Sequence, residues 1–500
     1  MAIPFQCVRV CRPDPHDQSS WLLLAASGPR IYSSHSSGGT SVWSSQKSSE
    51  SAEPVQADES QEPPGKKVKL SKQAEEPPNV SKLLVTSNSQ HLVAVTAEDK
   101  CLRVFRLDLT GRLEPLSQRS MPKRPCAVTM IENDATILCA DKFGDVYALP
   151  LLPSPTDADD IAVAAQEKET SASFVPTATP LTVHSGRNRK ALEDQLKQKL
   201  QPKTKEPLKF KHDLLLGHVS MLTEILYAEV EGEKTGAKPR TYIFTADRDE
   251  HIRISRGPPQ SHIIEGFCQG HREFVSKLCL SRSGDLISGG GDDDLIVWDW
   301  LSCRVLERIS IKQPVLDFLK AHPQHAGSPQ ESEGDLRVAV SGIWAAPSTF
   351  SRDSVLVTCE GVPALFHFII DGRKKVSSLQ QTLPLTGNPL DLTLLESGPI
   401  TEFIVVSIDQ TRAPGSATML RQKDDVPSRM QAFSLGSSGG WNLTSMLDVT
   451  LERLNSQAQA DALLGREAEV VNPETPGKQS PVQDILYGIE NLRKRAGAED

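Results

Sequence analysis

The sequence lacks the features that mark most enzymes and membrane proteins. Its glycine run, Gly289 to Gly291, does not precede a helix, so it offers no cradle for a nucleotide phosphate. Its nine cysteines include no CxxC pair and no histidine cluster at zinc spacing, and we expect no metal site. The longest early apolar run, Trp21 to Ala26, is far too short to span a bilayer. These absences leave no sign of a nucleotide-binding loop, a metal site or a membrane span.

The charge balance bears on the class of ligand, and the cysteine usage indicates the compartment. The 500 residues carry 64 acidic and 55 basic side chains, a formal net charge of −9, which does not suit a free-standing nucleic-acid binder. The cysteines are scattered and odd in number, which indicates a reducing compartment. The first residues, MAIPFQCVRV, do not read as a secretory signal. We therefore expect a soluble intracellular protein.

One stretch, Gly270 to Asp299, has the pattern of a single four-stranded propeller blade. A Gly-His pair opens it and a Trp-Asp pair closes it, with alternating apolar runs and a Gly/Asp-rich turn between them. The spacing predicts a hydrogen-bonded tetrad in which Asp292 bonds His271, His271 bonds Ser288, and Ser288 bonds the Trp298 indole. This tetrad is typical of WD-repeat blades.

Serine, histidine and aspartate also suggest a protease triad. Ser288 stands in a strand under an indole rather than on a strained elbow, and no oxyanion-hole motif accompanies it. We therefore assign the tetrad a structural role and predict no catalytic residue.

Further blades follow from strand periodicity. In a fourth blade His218, Thr245 and Asp249 occupy three tetrad positions, and Ser255 replaces the tryptophan. Phe5 to Val10 suits the edge strand that completes the last blade in many closed propellers. The fold class is thus all-β, a seven-bladed WD-repeat β-propeller over residues 1–440. The other blade segments are Trp21 to Trp43, Lys82 to Leu107, Cys126 to Leu151, Val338 to Ile370, and Asn388 to about Phe433.

Two insertions interrupt the blades. Residues 44–78 are rich in Ser, Glu, Pro and Lys and should be disordered. They contain a Lys-Lys-x-Lys group, Lys66, Lys67 and Lys69, which is either a solvated charge run or a nuclear import signal. Its accessible setting favours import, and hence the nucleus, with the cytoplasm as a second compartment. The second insertion, 153–207, has a basic part at 187–205 that is either a solvated helix or an arm for RNA phosphates.

The last part of the chain, residues 441–500, changes to helical spacing. Leu443 to Leu464 and Val482 to Arg495 are predicted to form short helices on a flexible tail. Either packing against the ring or a role in partner binding suits this tail.

Four motifs resemble one family. They are ADKFGDVY (Ala140 to Tyr147), LLLGHVSML (Leu214 to Leu222), TADRDEHIRIS (Thr245 to Ser255) and FCQGHREFVS (Phe267 to Ser276). Their sequences resemble motifs of the WD-repeat non-catalytic subunit of tRNA (guanine-N7)-methyltransferase. The resemblance implies a heterodimer with a catalytic subunit that binds S-adenosylmethionine and methylates guanine in the tRNA variable loop. This chain would then need no cofactor, and tRNA would be bound mainly through the partner.

Charged residues in these motifs exceed what the tetrads use. They occur at equivalent turns of two adjacent blades, where a mixed-sign patch suits docking of another protein in a fixed register. Arg248 is the strongest candidate, because its planar fork can pair with a carboxylate. The predicted docking residues are Lys142, Asp145, Asp247, Arg248 and Glu250.

Two other functions fit a propeller. A ubiquitin-ligase substrate receptor would need a ligase-docking element, which the sequence does not show. A direct enzyme or an independent RNA binder would need a cofactor loop or a basic balance, and the sequence has neither.

Overall fold

A computed structural model describes most of the chain. The expected import signal (Lys66, Lys67 and Lys69) and all of 187–205 except Lys190 lie outside the described residues, as does most of both insertions. By internal contacts the chain forms two compact units, residues 1–151 with 214–500, and residues 152–213. The described residues are 3–14, 17, 20–45, 77–154, 185, 190, 210–231, 239–325, 336–347, 352–397, 401–421, 428–469 and 483–494.

Seven four-stranded sheets make a seven-bladed β-propeller, which confirms the predicted fold class. Blade 1 contains β1 (Cys7–Cys11), β2 (Leu22–Ser27), β3 (Arg30–His35) and β4 (Thr40–Ser44), and blade 2 contains β5 (Val80–Val85), β6 (His91–Thr96), β7 (Cys101–Leu107) and β8 (Leu113–Ser120). Blade 3 contains β9 (Pro125–Ile131), β10 (Thr136–Asp141), β11 (Val146–Pro150) and β12 (Asp213–Leu216), and blade 4 contains β13 (Leu222–Val230), β14 (Arg240–Asp247), β15 (Ile252–Arg256) and β16 (Ile264–Cys268). Blade 5 contains β17 (Val275–Leu280), β18 (Leu286–Gly290), β19 (Asp294–Asp299) and β20 (Arg304–Ser310). Blade 6 contains β21 (Val340–Ala346), β22 (Asp353–Cys359), β23 (Ala364–Ile370) and β24 (Ser378–Pro384). Blade 7 contains β25 (Pro389–Ser397), β26 (Thr401–Ile408), β27 (Met430–Leu435) and β28 (Trp441–Leu443).

Burial explains why the second strands read as continuous apolar runs. Every residue of β2 and of β18 is buried, because both faces of these strands pack against neighbouring blades. The outermost strand of blade 5, β20, is mostly solvent-accessible and carries Arg304, Glu307 and Arg308. Apolar clusters fill the spaces between adjacent blades, as between blades 5 and 6 and between blades 6 and 7.

The expectation that Phe5 to Val10 completes the last blade is wrong. Strand β1 pairs with β2, with Cys7 opposite Ala26, and is the innermost strand of blade 1. Blade 7 instead takes all four strands from the end of the ring, closing with β28. The alternation showed a strand but not its partner, because an alternating pattern specifies neither the neighbouring strand nor the register of pairing.

Side-by-side contacts between inner strands close the ring. Strand β1 touches both β5 and β25, so the first and last blades meet. The Asp391 carboxylate accepts the Val8 amide hydrogen at 2.9 Å and pairs with the Arg9 guanidinium at 2.7 Å. The ring is thus fastened by side chains of its inner strands where no strand is shared between blades.

Helices accompany the ring in the described part of the chain. Helix α1 (Lys312–Ala321) follows blade 5, and α2 (Asp448–Glu469) packs Leu451 and Leu454 against the seam between blades 1 and 7. Helix α3 (Gln483–Leu486) and a 3-10 turn (Glu490–Leu492) lie near the end of the chain. Among the described residues no helix is long and apolar enough to cross a membrane.

Candidate protein-docking site

The tetrad of blade 5 is joined in the order that the spacing predicts. The His271 Nδ1 to Asp292 Oδ2 distance is 2.7 Å, and His271 Nε2 lies 2.6 Å from Ser288 Oγ. The Trp298 indole donates to the same Oγ at 2.8 Å. Ser288 and Trp298 are fully buried. No substrate can reach this hydroxyl, so the Ser, His and Asp groups lock the blade.

Two opposing effects set the pKa of Asp292. Burial alone would raise it, but hydrogen bonds from His271 and from the backbone amides of Arg272 and Glu273 outweigh burial and lower the pKa below its ordinary value. The carboxylate therefore stays ionised and holds the imidazole in place.

Blade 4 keeps only part of this arrangement. His218 Nε2 lies 2.9 Å from Thr245 Oγ1, but His218 Nδ1 faces the Gly144 carbonyl at 3.0 Å. The tetrad assignment of Asp249 is therefore wrong. The carbonyl takes the position that a carboxylate would fill, and Asp249 instead pairs with the Lys494 ammonium at 3.2 Å.

The turns of blades 3 and 4 form one continuous surface. Gly144, in the β10–β11 turn, has φ +98°, and a Cβ there would lie 2.3 Å from the His218 carbonyl oxygen. Only glycine suits this position, because it adopts positive φ and allows such close approach. The Arg248 amide donates to the Met221 carbonyl at 2.9 Å. The β10–β11 turn, residues 217–221 and the β14–β15 turn are thus linked, and we call them the docking surface.

The predicted docking residues differ in how they are placed on this surface. Lys142 is exposed, and Asp145 is half-buried and accepts the Tyr147 hydroxyl at 3.2 Å. Arg248 and Glu250 are half-buried at the β14–β15 turn.

Asp247 is a correction to the predicted set. Its side chain is 9% exposed, and its carboxylate accepts the His251 amide hydrogen at 2.9 Å within the turn. Burial raises the pKa of Asp247. Its carboxylate shapes the β14–β15 turn and presents little area to a partner.

Sequence reasoning missed two apolar side chains on the docking surface. Phe143 is 64% exposed and Val219 is fully exposed, and each adjoins a residue of the Gly144–His218 contact. The Lys123 ammonium lies 4.0 Å from the centre of the Phe143 ring. An aromatic residue inside the charged turn DKFGD was the available signal, because an exposed apolar group ringed by charges is typical of an interface.

The fold and the tetrad define the class as a WD-repeat β-propeller. A family model described as the tRNA methyltransferase TRM82 WD40 domain matches residues 23–433. The chain belongs to this family, whose members are named as non-catalytic subunits of tRNA (guanine-N(7)-)-methyltransferase, and it is not a catalytic subunit.

Curated relatives match along the whole chain. The chain is 46% identical to the TRM82 subunit of Phaeosphaeria nodorum, with 100% of both chains covered. It is 38% identical to that of Aspergillus oryzae, covering 100% of this chain and 99% of the relative. Among solved structures, the RRP9 WD40 repeats share the fold at a TM-score of 0.50 with 14% identity, covering 88% of this chain and 95% of that one.

Proposed function

We propose that this chain docks and stabilises the catalytic subunit of a tRNA (guanine-N7)-methyltransferase in a heterodimer. The partner would bind S-adenosylmethionine and transfer its methyl group to N7 of guanine in the tRNA variable loop. This chain would supply a rigid ring and no cofactor, and would meet tRNA mainly through the partner.

The observation that carries the proposal is the makeup of the docking surface. The two turns, together with residues 217–221 that link them, present Lys142, Phe143, Val219 and Arg248. An apolar centre within a charged rim suits a specific protein interface, in which charges fix the register. Family membership supports the identity proposed for the partner, because relatives are named as non-catalytic subunits of the methyltransferase.

A direct binding measurement tests the docking surface. Arg248→Glu should leave the ring folded and weaken binding of the purified catalytic subunit by about 2–5 kcal/mol, because the partner's carboxylate would lose the guanidinium and face a like charge. The matched control is Arg106→Glu, a charge reversal at an exposed residue of blade 2. Equal affinities for wild type, variant and control would remove Arg248 from the site.

We also propose a nuclear location that depends on Lys66, Lys67 and Lys69, with the cytoplasm as a second compartment. The proposal rests on the basic pattern alone. A fluorescent fusion of the full chain should lose nuclear enrichment when all three lysines become alanine. An unchanged distribution would assign the three lysines to a solvated charge run.

A further inference from the structure

Residues 483–494, here called the C-terminal segment, cross the ring along the turns of four consecutive blades. The segment contacts Asp409 of blade 7, Glu360 of blade 6, Gly291 of blade 5 and Arg248 of blade 4. Each of these residues directly follows the second strand of its blade. The segment therefore lies on the same end of the ring as the docking surface and ends at it.

Tyr487 is the first anchor of the segment. Its hydroxyl donates to Asp409 Oδ2 at 2.6 Å and accepts from Asn388 Nδ2 at 3.2 Å. The Arg412 guanidinium lies 4.9 Å from the ring centre, and Tyr487 is 8% exposed. A buried tyrosine with a satisfied hydroxyl is a typical hot spot of an interface.

Arg493 is the second anchor. Its guanidinium donates to the Gly291 carbonyl at 2.9 Å and the Val338 carbonyl at 3.2 Å, and it pairs with Glu273 at 3.3 Å. The side chain is only 9% exposed. Between the two anchors, the amides of residues 488 and 489 donate to the Glu360 carboxylate at 3.2 and 2.8 Å.

The end of the segment acts on the β14–β15 turn. The Leu492 carbonyl accepts from Arg248 Nε at 2.9 Å, which directs this N–H of the guanidinium toward the segment. The Lys494 ammonium lies 3.2 Å from an Asp249 oxygen and 3.3 Å from a Glu250 oxygen. Among the described residues the guanidinium makes no further hydrogen bond, so its Nη donors remain for a ligand.

The β14–β15 turn needs an added positive charge if it is to bind an acidic side chain of a partner. Asp247, Arg248, Asp249 and Glu250 bring three carboxylates and one guanidinium into four consecutive positions. Unneutralised carboxylates would compete for Arg248 and repel an incoming acidic side chain. Lys494 places a cation against two of the three.

We propose that the C-terminal segment is a fixed part of the docking surface. It orients Arg248 and neutralises Asp249 and Glu250, so that the surface accepts a carboxylate of the partner. This inference rests on the proposed function and specifies the chemistry of the contact. Tyr487 and Arg493 attach the segment, and Leu492 and Lys494 prepare the contact.

Two full-length variants test the inference. Tyr487→Phe combined with Arg493→Ala should release the segment, seen as faster hydrogen exchange at the amides of residues 488 and 489. Lys494→Glu should keep the anchors and restore the repulsion. Both should weaken binding of the purified catalytic subunit by roughly tenfold or more. Arg106→Glu, which leaves the segment in place, should bind as wild type does.

The outcomes separate this inference from the proposed function. If wild type binds the catalytic subunit and the released variant binds it equally well or more tightly, only the inference is overturned. The segment would then have no role in binding or would compete with the partner. An unchanged affinity for Lys494→Glu would likewise overturn the neutralising role. Failure of wild type itself to bind would overturn the proposed function and the inference with it.

Discussion

Asp292 and Asp249 stand at equivalent positions of adjacent blades, yet their carboxylates meet different groups. Asp292 bonds the buried His271 imidazole at 2.7 Å, whereas Asp249 is part of an exposed ion pair with Lys494. The difference arises because the Gly144 carbonyl already satisfies the imidazole of His218. The aspartate at this position therefore stabilises the blade itself in blade 5 and forms a surface ion pair in blade 4.

These environments predict unequal costs of truncation. Asp292→Ala should lower the free energy of unfolding by about 1.5–3 kcal/mol, because it removes a hydrogen bond to a charged group inside the blade. Asp249→Ala should cost less than about 1 kcal/mol, since exposed ion pairs contribute little. Denaturant unfolding of both variants measures the difference, and equal losses would contradict the assignment of roles.

Acid should weaken blade 5 through the same carboxylate. The folded-state pKa of Asp292 lies below its ordinary value, so its stabilising contribution is complete above about pH 4 and is lost as the pH falls through the folded pKa. Asp292→Asn should be less stable at neutral pH and should lack this part of the acid sensitivity. Melting temperatures of both proteins between roughly pH 7 and pH 3 test this. Parallel pH profiles would argue against it.

At the scale of elements, the contact between the β10–β11 turn and residues 217–221 joins blades 3 and 4. The contact depends on the close approach of Gly144 to the His218 carbonyl. The docking surface is continuous only while the β10–β11 turn touches residues 217–221.

A pair of glycine variants isolates this contact. Gly144 (φ +98°) and Gly284 (φ +88°) both have positive φ, but only at Gly144 would a Cβ meet another atom, since nothing lies within 4 Å at Gly284. Gly144→Ala should lower stability by more than about 1 kcal/mol and weaken docking. Gly284→Ala should show the backbone strain alone and keep docking. Thermal unfolding and a binding assay measure both, and similar behaviour of the two variants would remove the contact from the site.

Elements differed in how far the sequence determined them. The tetrad of blade 5 was predictable because all four residues lie within one stretch, Gly270 to Asp299, where spacing fixes the geometry. The partner of β1 was not, because alternation does not specify the neighbouring strand, and the closure of the ring depends on Asp391, far along the chain. The role of Asp249 was missed for the same reason: both Gly144 and Lys494 are remote from it in sequence.

The end of the chain shows the limit most clearly. Helical spacing over Val482 to Arg495 predicted a short helix, and the structure has helix α3 and a 3-10 turn there. No pattern revealed that the side chains of Tyr487 and Arg493 would be buried on the turns of blades 7 and 5, respectively. The charged turns were visible in the sequence, but the C-terminal segment that contacts them was not recognisable as their binding partner.

At the scale of the whole molecule, the ring is a packed frame that holds its turns in register. Inner-strand contacts close it without a shared strand, and apolar clusters fill the spaces between adjacent blades. Such a frame suits a subunit that positions another protein, because rigid support lowers the entropy lost on docking. Methyl transfer itself would belong to the partner.

The most direct measurement is purification of this chain from its native cells, followed by assay of the eluate for S-adenosylmethionine-dependent N7 methylation of tRNA guanine. We predict activity that travels with a second protein, disappears with Arg248→Glu and persists with Arg106→Glu. Activity of the isolated chain without a second protein, or an eluate of the wild-type chain without this activity, would contradict the account.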